Sequence, residues 1–385
     1  MRFILILATV VAFVLGSQSD ARAADGPRVE HEQVAQAVHI LRLVRGDGTA
    51  ANMGVVVGED GLLIINTMMQ SDLKLIEPAL AGISDKPVRV VLNSNGDWYN
   101  TDANKYFAAK GAVIMSFQNA RYYSDVYHQI LFNGELKTTF GGERIIAYRS
   151  GGHSFAHVNI HLPDANVIFV ADSFSNDWMT TTGPFGLEGH FRGLDSIAER
   201  ADEDTLIITG NHRGRGIASK ADLVAAKARR LEFVERVRTL YEAGQGADEI
   251  ATDPGLNAII KAAYPAAYEA HGLQGWLITP MIHTELMQNP LSDAEQQALV
   301  GRYGMDGKGV IEVLVEDGEL VARSDGRFYY ALMPTARDRA ILKTGDAGEA
   351  ITFTLGADGR AGSLEMQVKE SYLRHYVPEG VWTRQ

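Results

Sequence analysis

Residues 88–104 read Val-Arg-Val-Val-Leu-Asn-Ser-Asn-Gly-Asp-Trp-Tyr-Asn-Thr-Asp-Ala-Asn. The largely apolar run at 88–92 predicts a buried strand, and residues 103–110 predict a helix. The polar residues between them predict a loop at the end of the strand. Because α/β proteins commonly place catalytic and binding groups at such strand ends, this loop is the first candidate for a functional site.

Three more polar loops adjoin predicted strands. They are Gly-Gly-His-Ser at 151–154 before a strand at 158–162, Ala-Asp-Ser at 171–173 after a strand at 167–171, and Gly-Asn-His at 210–212 after a strand at 205–208. Strands are also predicted within residues 38–65, and a helix is predicted at 72–82. This alternation of strands and helices indicates an α/β domain.

The second half of the chain changes character. A long helix is predicted at 219–244 and a second helical region at 256–270. After Pro290, short strand patterns alternate with turn signals such as Glu-Asp-Gly at 316–318. We therefore predict three segments, namely a signal peptide at 1–23, a domain with trailing helices at 24–290, and a small antiparallel β domain at 291–385.

The first 23 residues have the pattern of a secretory signal peptide. Arg2 precedes an apolar run at 3–16, and Ala21 and Ala23 match the small residues before a cleavage site. The apolar run is shorter than the about 20 residues that span a bilayer, and no second run of that length follows. The pattern predicts a secreted, periplasmic protein without a stable membrane anchor.

The composition excludes several classes of protein. The 385 residues include no cysteine, which excludes disulfides, iron–sulfur clusters, thiolate zinc ligands and a cysteine nucleophile. The formal net charge of -12 leaves no basic surplus to neutralise phosphates. A nucleic-acid partner is therefore not expected.

Taken in order, the polar loops resemble those of the metallo-β-lactamase superfamily. The predicted hairpin at 54–67, the loop and helix at 93–107 and the hairpin at 163–172 carry the resemblance. It implies an α/β protein with an αββα sandwich, followed here by a small antiparallel β-barrel-like C-terminal domain. That C-terminal domain resembles the lipocalin-like domains of some exported hydrolases, in residues 299–303 and 351–360.

The first motif of the superfamily is changed in this chain. The superfamily motif, His-x-His-x-Asp-His, holds two zinc ions that generate hydroxide at neutral pH. In the same register this sequence has Asn95, Asp97, Tyr99 and Asn100.

The later motifs are kept in part. His153 matches the His of the third motif, and Asp172 matches the bridging Asp. The last His of the superfamily falls on Asn211, with His212 one position later. The resemblance thus predicts the fold more firmly than the metal chemistry.

Three alternatives for a cofactor stay open. Because Asn is a weak ligand for zinc, the first is a metal-free site with Asp97 and His153 as an acid–base pair. The second is one hard cation such as Ca²⁺ or Mg²⁺ in an oxygen-rich site. The third is zinc held through Asp97, His153 and Asp172. The candidate catalytic residues are Asp97 and His153, and the candidate metal residues are Asn95, Asp97, Tyr99, Asn100, His153, Asp172, Asn211 and His212.

Two functions follow from these alternatives. The first is a ligand-binding pseudoenzyme whose partner is a small molecule. The second is a divergent metal-dependent hydrolase of ester, lactone or amide bonds. Aromatic residues between 174 and 191 predict either a loop that covers the core or an apolar wall over the site, and the wall would favour an apolar ligand. The C-terminal domain is a candidate for ligand binding or for a homodimer contact.

Overall fold

The computed structural model describes residues 26–123, 126–180, 182–183, 186–212, 214–272, 278, 281–282, 286, 290–316, 318–324, 328–342, 350–367 and 380–385. The signal peptide predicted at residues 1–23 lies outside these ranges, so cleavage and export stay predictions. Within them, no helix combines the length and the apolar character needed to cross a membrane.

The first sheet of the N-terminal domain has eight strands. They are β1 (Arg28–Gln33), β2 (Val38–Val44), β3 (Ala50–Val57), β4 (Leu62–Ile65), β5 (Val88–Leu92), β6 (Val113–Phe117), β7 (Ile130–Phe132) and β13 (Asn211–His212). β1 to β7 are neighbours in chain order, and β13 pairs with β3. The pairs from β1 to β4 are antiparallel, and those from β4 to β7 are parallel.

The second sheet has six strands. They are β8 (Leu136–Phe140), β9 (Glu143–Tyr148), β10 (Asn159–Leu162), β11 (Val167–Ala171), β12 (Leu206–Thr209) and β14 (Ile217–Ala218). The order is β14-β12-β11-β10-β9-β8, and β11 runs parallel to β12.

The two sheets pack face to face through apolar side chains. Val56 and Ile65 of the first sheet share a buried cluster with Ile160 and Phe169 of the second. Gly54 permits the close approach, because a Cβ there would lie 2.6 Å from the Phe169 ring. Helices bury the outer faces as well, which explains why β11 is apolar at every position.

Helices cover both outer faces of the sandwich. They are α1 (Leu73–Ile83), α2 (Trp98–Thr101), α3 (Asn104–Ala109), α4 (Gly186–Arg200), α5 (Lys220–Glu242), α6 (Ala247–Ala251), α7 (Pro254–Ala263), α8 (Pro265–His271) and, beyond the sandwich, α9 (Asp293–Leu299). α1 and α3 pack on the first sheet, and α4 and α5 pack on the second. This αββα sandwich confirms the predicted fold class.

Two helical features differ from the prediction. The region at 256–270 forms two helices, because Pro265 has no N–H to donate and disfavours a helical conformation at Tyr264. Helix α4 is absent from the predicted elements. Gly186, Gly189 and Gly193 lower the helix propensity of its segment, so packing on the second sheet stabilises it.

The C-terminal domain is a closed antiparallel barrel. Its strands are β15 (Gly301–Met305), β16 (Gly309–Glu316), β17 (Glu319–Ser324), β18 (Phe328–Ala336), β19 (Arg339–Leu342), β20 (Ala350–Leu355), β21 (Ala361–Gln367) and β22 (Gly380–Arg384). β22 pairs with β15 and so closes the barrel around Tyr303 and Trp382. The predicted small β-barrel is confirmed, and its likeness to lipocalins stays a prediction.

Aromatic rings join the barrel to the sandwich. The ring centroid of Tyr329 on β18 lies 4.0 Å from that of Phe155 and 4.9 Å from that of Tyr122. All three side chains are buried. Phe155 follows the candidate residue His153 by two positions, so the barrel supports a loop that carries the site.

Replacing Gly54 with alanine is expected to lower the free energy of unfolding by about 1–3 kcal/mol, because the added methyl overpacks the contact with Phe169. Urea unfolding of the purified protein measures this change. The matched control is Gly82→Ala on the exposed side of α1, where a Cβ meets nothing within 4 Å. That control is expected to stabilise by about 0.5–1 kcal/mol, and equal effects at both positions would contradict the packing argument.

Candidate functional site

The segment from the end of β5 to α2 supplies four of the predicted site residues. Asn95 and Asp97 lie in the loop, and Tyr99 and Asn100 lie on α2. The Asp97 N–H donates to the Asn95 side-chain oxygen at 3.2 Å, and the Thr101 hydroxyl donates to the Asp97 carbonyl at 3.0 Å. These bonds hold the loop at the start of the helix.

His153 and Asp172 come from the second sheet. His153 lies between β9 and β10, and Asp172 directly follows β11. The structure brings both to Asp97, since one potential ligand atom from each of the three residues lies within 4.8 Å of the others. Asp97, His153 and Asp172 therefore form a group that could hold a metal ion.

Two buried amides hold the Asp172 carboxylate. The Asn95 Nδ2 donates to Asp172 Oδ2 at 2.9 Å, and the Asn100 Nδ2 donates to the same oxygen at 3.0 Å. An amide presents its N–H₂ to a carboxylate because its own oxygen would be repelled. Asn95 and Asn100 thus act here as hydrogen-bond donors to Asp172.

The Tyr99 hydroxyl faces all three members of the group. Its oxygen lies 3.2 Å from Asp97 Oδ2, 3.4 Å from His153 Nε2 and 3.4 Å from Asp172 Oδ2. Burial and the charges of Asp172 and Asp97 raise the pKa of Tyr99 well above its usual value. The phenol therefore keeps its proton and acts as a neutral hydrogen-bonding group.

Asp97 and His153 form an ion pair. The His153 Nε2 and the Asp97 Oδ2 are 3.0 Å apart. Burial alone would lower the pKa of His153, but the Asp97 carboxylate raises it to about 9. Burial alone would raise the pKa of Asp97, but the His153 ring lowers it below its usual value. The imidazolium therefore donates to the carboxylate at neutral pH.

Backbone strain occurs in the loops that carry the site. Ala171, next to Asp172, has a φ of 42°, and Asn66 at the end of β4 has a φ of 65°. The Asn66 side-chain oxygen accepts hydrogen bonds of 2.9 Å from both the N–H and the hydroxyl of Ser94. Such conformations persist where surrounding contacts enforce them, and they cluster at functional sites.

Asn211 and His212 form the short strand β13. Their backbone pairs with Ala50 and Ala51 of β3, and their side chains lie outside the described structure. The preceding residue, Gly210, touches the site, because a Cβ there would lie 2.8 Å from Asp172 Oδ1. β13 therefore begins beside Asp172.

Two further buried polar residues near the site are missing from the sequence-based set. His190 lies on α4 and Arg230 lies on α5, and both are buried. His190 lies in a helix that the sequence does not predict. The sequence spacing could have identified Arg230 as buried, because it places Arg230 on the same face of α5 as the apolar residues Ala226 and Phe233.

Comparisons with known proteins bear on the fold. No family profile matches the sequence, and no curated protein matches it. Among solved structures, a metallo-beta-lactamase family protein from Thermus thermophilus is 14% identical, with a TM-score of 0.51 over 71% of this chain and 97% of that chain. The metallo-beta-lactamase from Pontibacter korlensis is also 14% identical, with a TM-score of 0.47 over 52% of this chain and 98% of that chain. The likeness to the Thermus thermophilus protein shows that the sandwich has the metallo-β-lactamase fold.

The donor set does not fit the two-zinc site that this fold commonly carries. A hydrolytic zinc keeps one coordination position open for water beside its protein ligands. The Tyr99 hydroxyl lies 3.2–3.4 Å from Asp97, His153 and Asp172, so it would compete with such a water. A second zinc would need lone pairs from Asn95 and Asn100, whose amides instead donate N–H groups to Asp172.

The free energy of unfolding of chelator-treated protein should fall as the pH rises from 6.5 to about 9. The folded state raises the pKa of His153 from 6.5 to about 9, so its stabilisation is complete below pH 6.5 and is lost as the pH passes 9. The loss should reach up to about 3 kcal/mol, measured by urea unfolding at a series of pH values.

Asp97→Asn should flatten this dependence, because the amide no longer favours the imidazolium. His128→Gln is the control, since the His128 ring bonds the nearby Val126 carbonyl at 3.1 Å and lies apart from the ion pair. An unchanged slope in Asp97→Asn would contradict the assignment.

Proposed function

We propose that this protein is a ligand-binding pseudoenzyme that keeps the site of the metallo-β-lactamase fold without its hydroxide generator. The position of the Tyr99 hydroxyl carries this proposal. Hydrolysis by this fold needs a metal-bound water that faces the substrate. In this chain a phenol oxygen lies 3.2–3.4 Å from the three remaining ligand atoms, in the place that such a water would need.

The same conclusion holds whether or not one ion binds. Without an ion, hydrogen bonds link Asp97, Tyr99, Asp172 and the Nε2 of His153, while the buried Nδ1 of His153 has no partner among the described residues. If one ion were bound, Asp97, His153 and Asp172 would hold it, and the Tyr99 oxygen would be available as a fourth protein ligand, as is typical of structural sites. In the first arrangement there is no ion to activate a water, and in the second the four protein ligands would compete with water for the ion.

The solvent exposure of residues at the site supports the binding of a small molecule. The side chains of Asp97 and His153 are 19% and 20% exposed, so their ion pair is reachable from solvent. Trp98, between Asp97 and Tyr99, is 61% exposed and offers an aromatic face at the rim of the site. An exposed aromatic ring beside a few placed polar groups is typical of ligand sites.

A second candidate is a divergent metal-dependent hydrolase. The observation that favours it is the group of Asp97, His153 and Asp172, whose ligand atoms lie within 4.8 Å of one another. This function requires the Tyr99 side chain to leave the site when substrate binds.

Zinc titration separates the two candidates. The pseudoenzyme should bind zinc weakly or in a closed site, whereas the triple variant Asn95→His, Tyr99→Asp, Asn100→His restores three of the four motif positions and keeps Asp97 at the fourth. Mutating a hydrogen-bond partner of a zinc ligand changes zinc affinity about 10- to 100-fold. The triple variant changes the ligands themselves, so its gain in zinc affinity should be larger than this. Metal content by mass spectrometry and a competition titration with a chromogenic chelator measure the gain.

Tyr99→Phe is the matched control for this experiment, since it keeps the ring and removes only the hydroxyl. The proposal is wrong if wild-type protein purified without chelator carries stoichiometric metal and hydrolyses an ester, lactone or β-lactam in a reaction that Asp172→Ala abolishes. The absence of turnover in wild type, together with a zinc gain in the triple variant, is the expected result.

A further inference from the structure

Arg230 is a buried cation at the junction of two apolar clusters. It lies on α5 between Ala226, which packs on the second sheet, and Phe233, which packs against the helices that follow. Its side chain is 4% exposed, and its guanidinium donates to the Thr180 carbonyl. Burial lowers the pKa of Arg230 to about 10, and in the described part of the chain no carboxylate is hydrogen-bonded to it.

A guanidinium in such a place requires a counter-charge. Removing a cation from water carries a large desolvation penalty, and a single carbonyl offsets little of it. Arginine is also the side chain whose planar donors match a carboxylate in a bidentate pair. The buried guanidinium of Arg230 is therefore suited to binding an anion.

His190 is a second buried group with unused hydrogen-bonding capacity. It is 3% exposed, and its Nδ1 has no hydrogen-bond partner in the described structure. Burial lowers the pKa of His190 well below its usual value, and the nearby charges of Arg230 and His153 lower it further. The ring is thus neutral and able to donate one N–H.

Close backbone contacts hold these groups next to the site. A Cβ at Gly193 on α4 would lie 3.0 Å from the Ser150 carbonyl, so α4 packs directly on the loop that leads to His153. Gly183 has a φ of 69°, and a Cβ there would lie 2.5 Å from the His153 carbonyl. The segment after Thr180 therefore crosses the His153 backbone, and the Thr180 carbonyl meets Arg230.

We propose that Arg230 and His190 form a subsite for the carboxylate of an organic acid with an apolar body, adjacent to His153. One guanidinium and one neutral imidazole balance a single negative charge, which favours a carboxylate over a doubly charged phosphate. Met179 and Leu187 belong to the apolar cluster that flanks Arg230 and would contact the body of the acid. The subsite rests on the proposed ligand-binding function and names its ligand class.

Isothermal titration calorimetry at pH 7.5 with benzoate, acetate and inorganic phosphate tests the subsite on the full-length protein. Benzoate should bind, acetate more weakly because it lacks the apolar body, and phosphate most weakly. Arg230→Met should raise the Kd for benzoate about 10- to 100-fold, the effect of losing a charge-assisted hydrogen bond. His190→Gln should raise it less.

Arg238→Met is the matched control, since it removes one positive charge from the same helix at an exposed ion pair with Glu235. It should leave benzoate binding unchanged. Arg230→Met should also raise the melting temperature of the ligand-free protein, because it removes an uncompensated buried charge. If that variant does not fold, Arg230→Lys provides the comparison, because it keeps the charge and loses the bidentate fork.

Three results would overturn the subsite, namely no benzoate binding by wild type, equal binding of phosphate and benzoate, or benzoate binding that Arg230→Met and Arg230→Lys leave unchanged. The first is also the result expected if an acidic side chain of this chain neutralises Arg230. These outcomes are independent of the zinc titration. A wild-type protein with stoichiometric metal and metal-dependent turnover would refute the pseudoenzyme and still leave benzoate binding at Arg230 measurable.

Discussion

The hydrogen bonds that Asp172 accepts from Asn95 and Asn100 join the two sheets at the edge where the site lies. The asparagines follow a strand of the first sheet and Asp172 follows a strand of the second, with N–O distances of 2.9 and 3.0 Å. A buried carboxylate without partners would be costly in this environment. The two amides therefore supply the positive potential that a metal ion could otherwise provide between the sheets.

The residues around His153 differ in charge from one side of the ring to the other. On one side the imidazolium meets Asp97, and Asp172 lies across the Tyr99 hydroxyl. Elsewhere within electrostatic range lies a buried polar group, His190, whose pKa is lowered by burial and, to a smaller extent, by the charges of Arg230 and His153. A ligand that bridges the two environments would meet a hydrogen-bond acceptor at one end and a cation at the other.

The barrel contributes to the site through its contact with the sandwich. Tyr329 packs on Phe155 and Tyr122, and the residue after Tyr122 touches the site loop directly. A Cβ at Gly96 would lie 2.8 Å from the Tyr123 ring, so Gly96 allows the ring to press on the loop between Asn95 and Asp97. Aromatic packing thus connects the C-terminal domain to the loop that contains Asn95 and Asp97. A change in the barrel surface at this contact would therefore affect that loop.

The sequence by itself determined the buried strands, since strands buried on both faces leave continuous apolar patterns, and its resemblance to the superfamily implied the sandwich. The strands Val88–Leu92 and Val167–Ala171 have the predicted bounds, and Val38–Val44 and Leu62–Ile65 lie within the region 38–65 where strands are predicted. It also singled out the loops that meet at the site. Only the tertiary structure decided what those loops do, because Asn95 and Asp172 are 77 positions apart and the direction of an amide or a phenol depends on its partner. The orientation of Tyr99 and the burial of Arg230 beside His190 arise from packing between distant segments, which local sequence patterns do not encode.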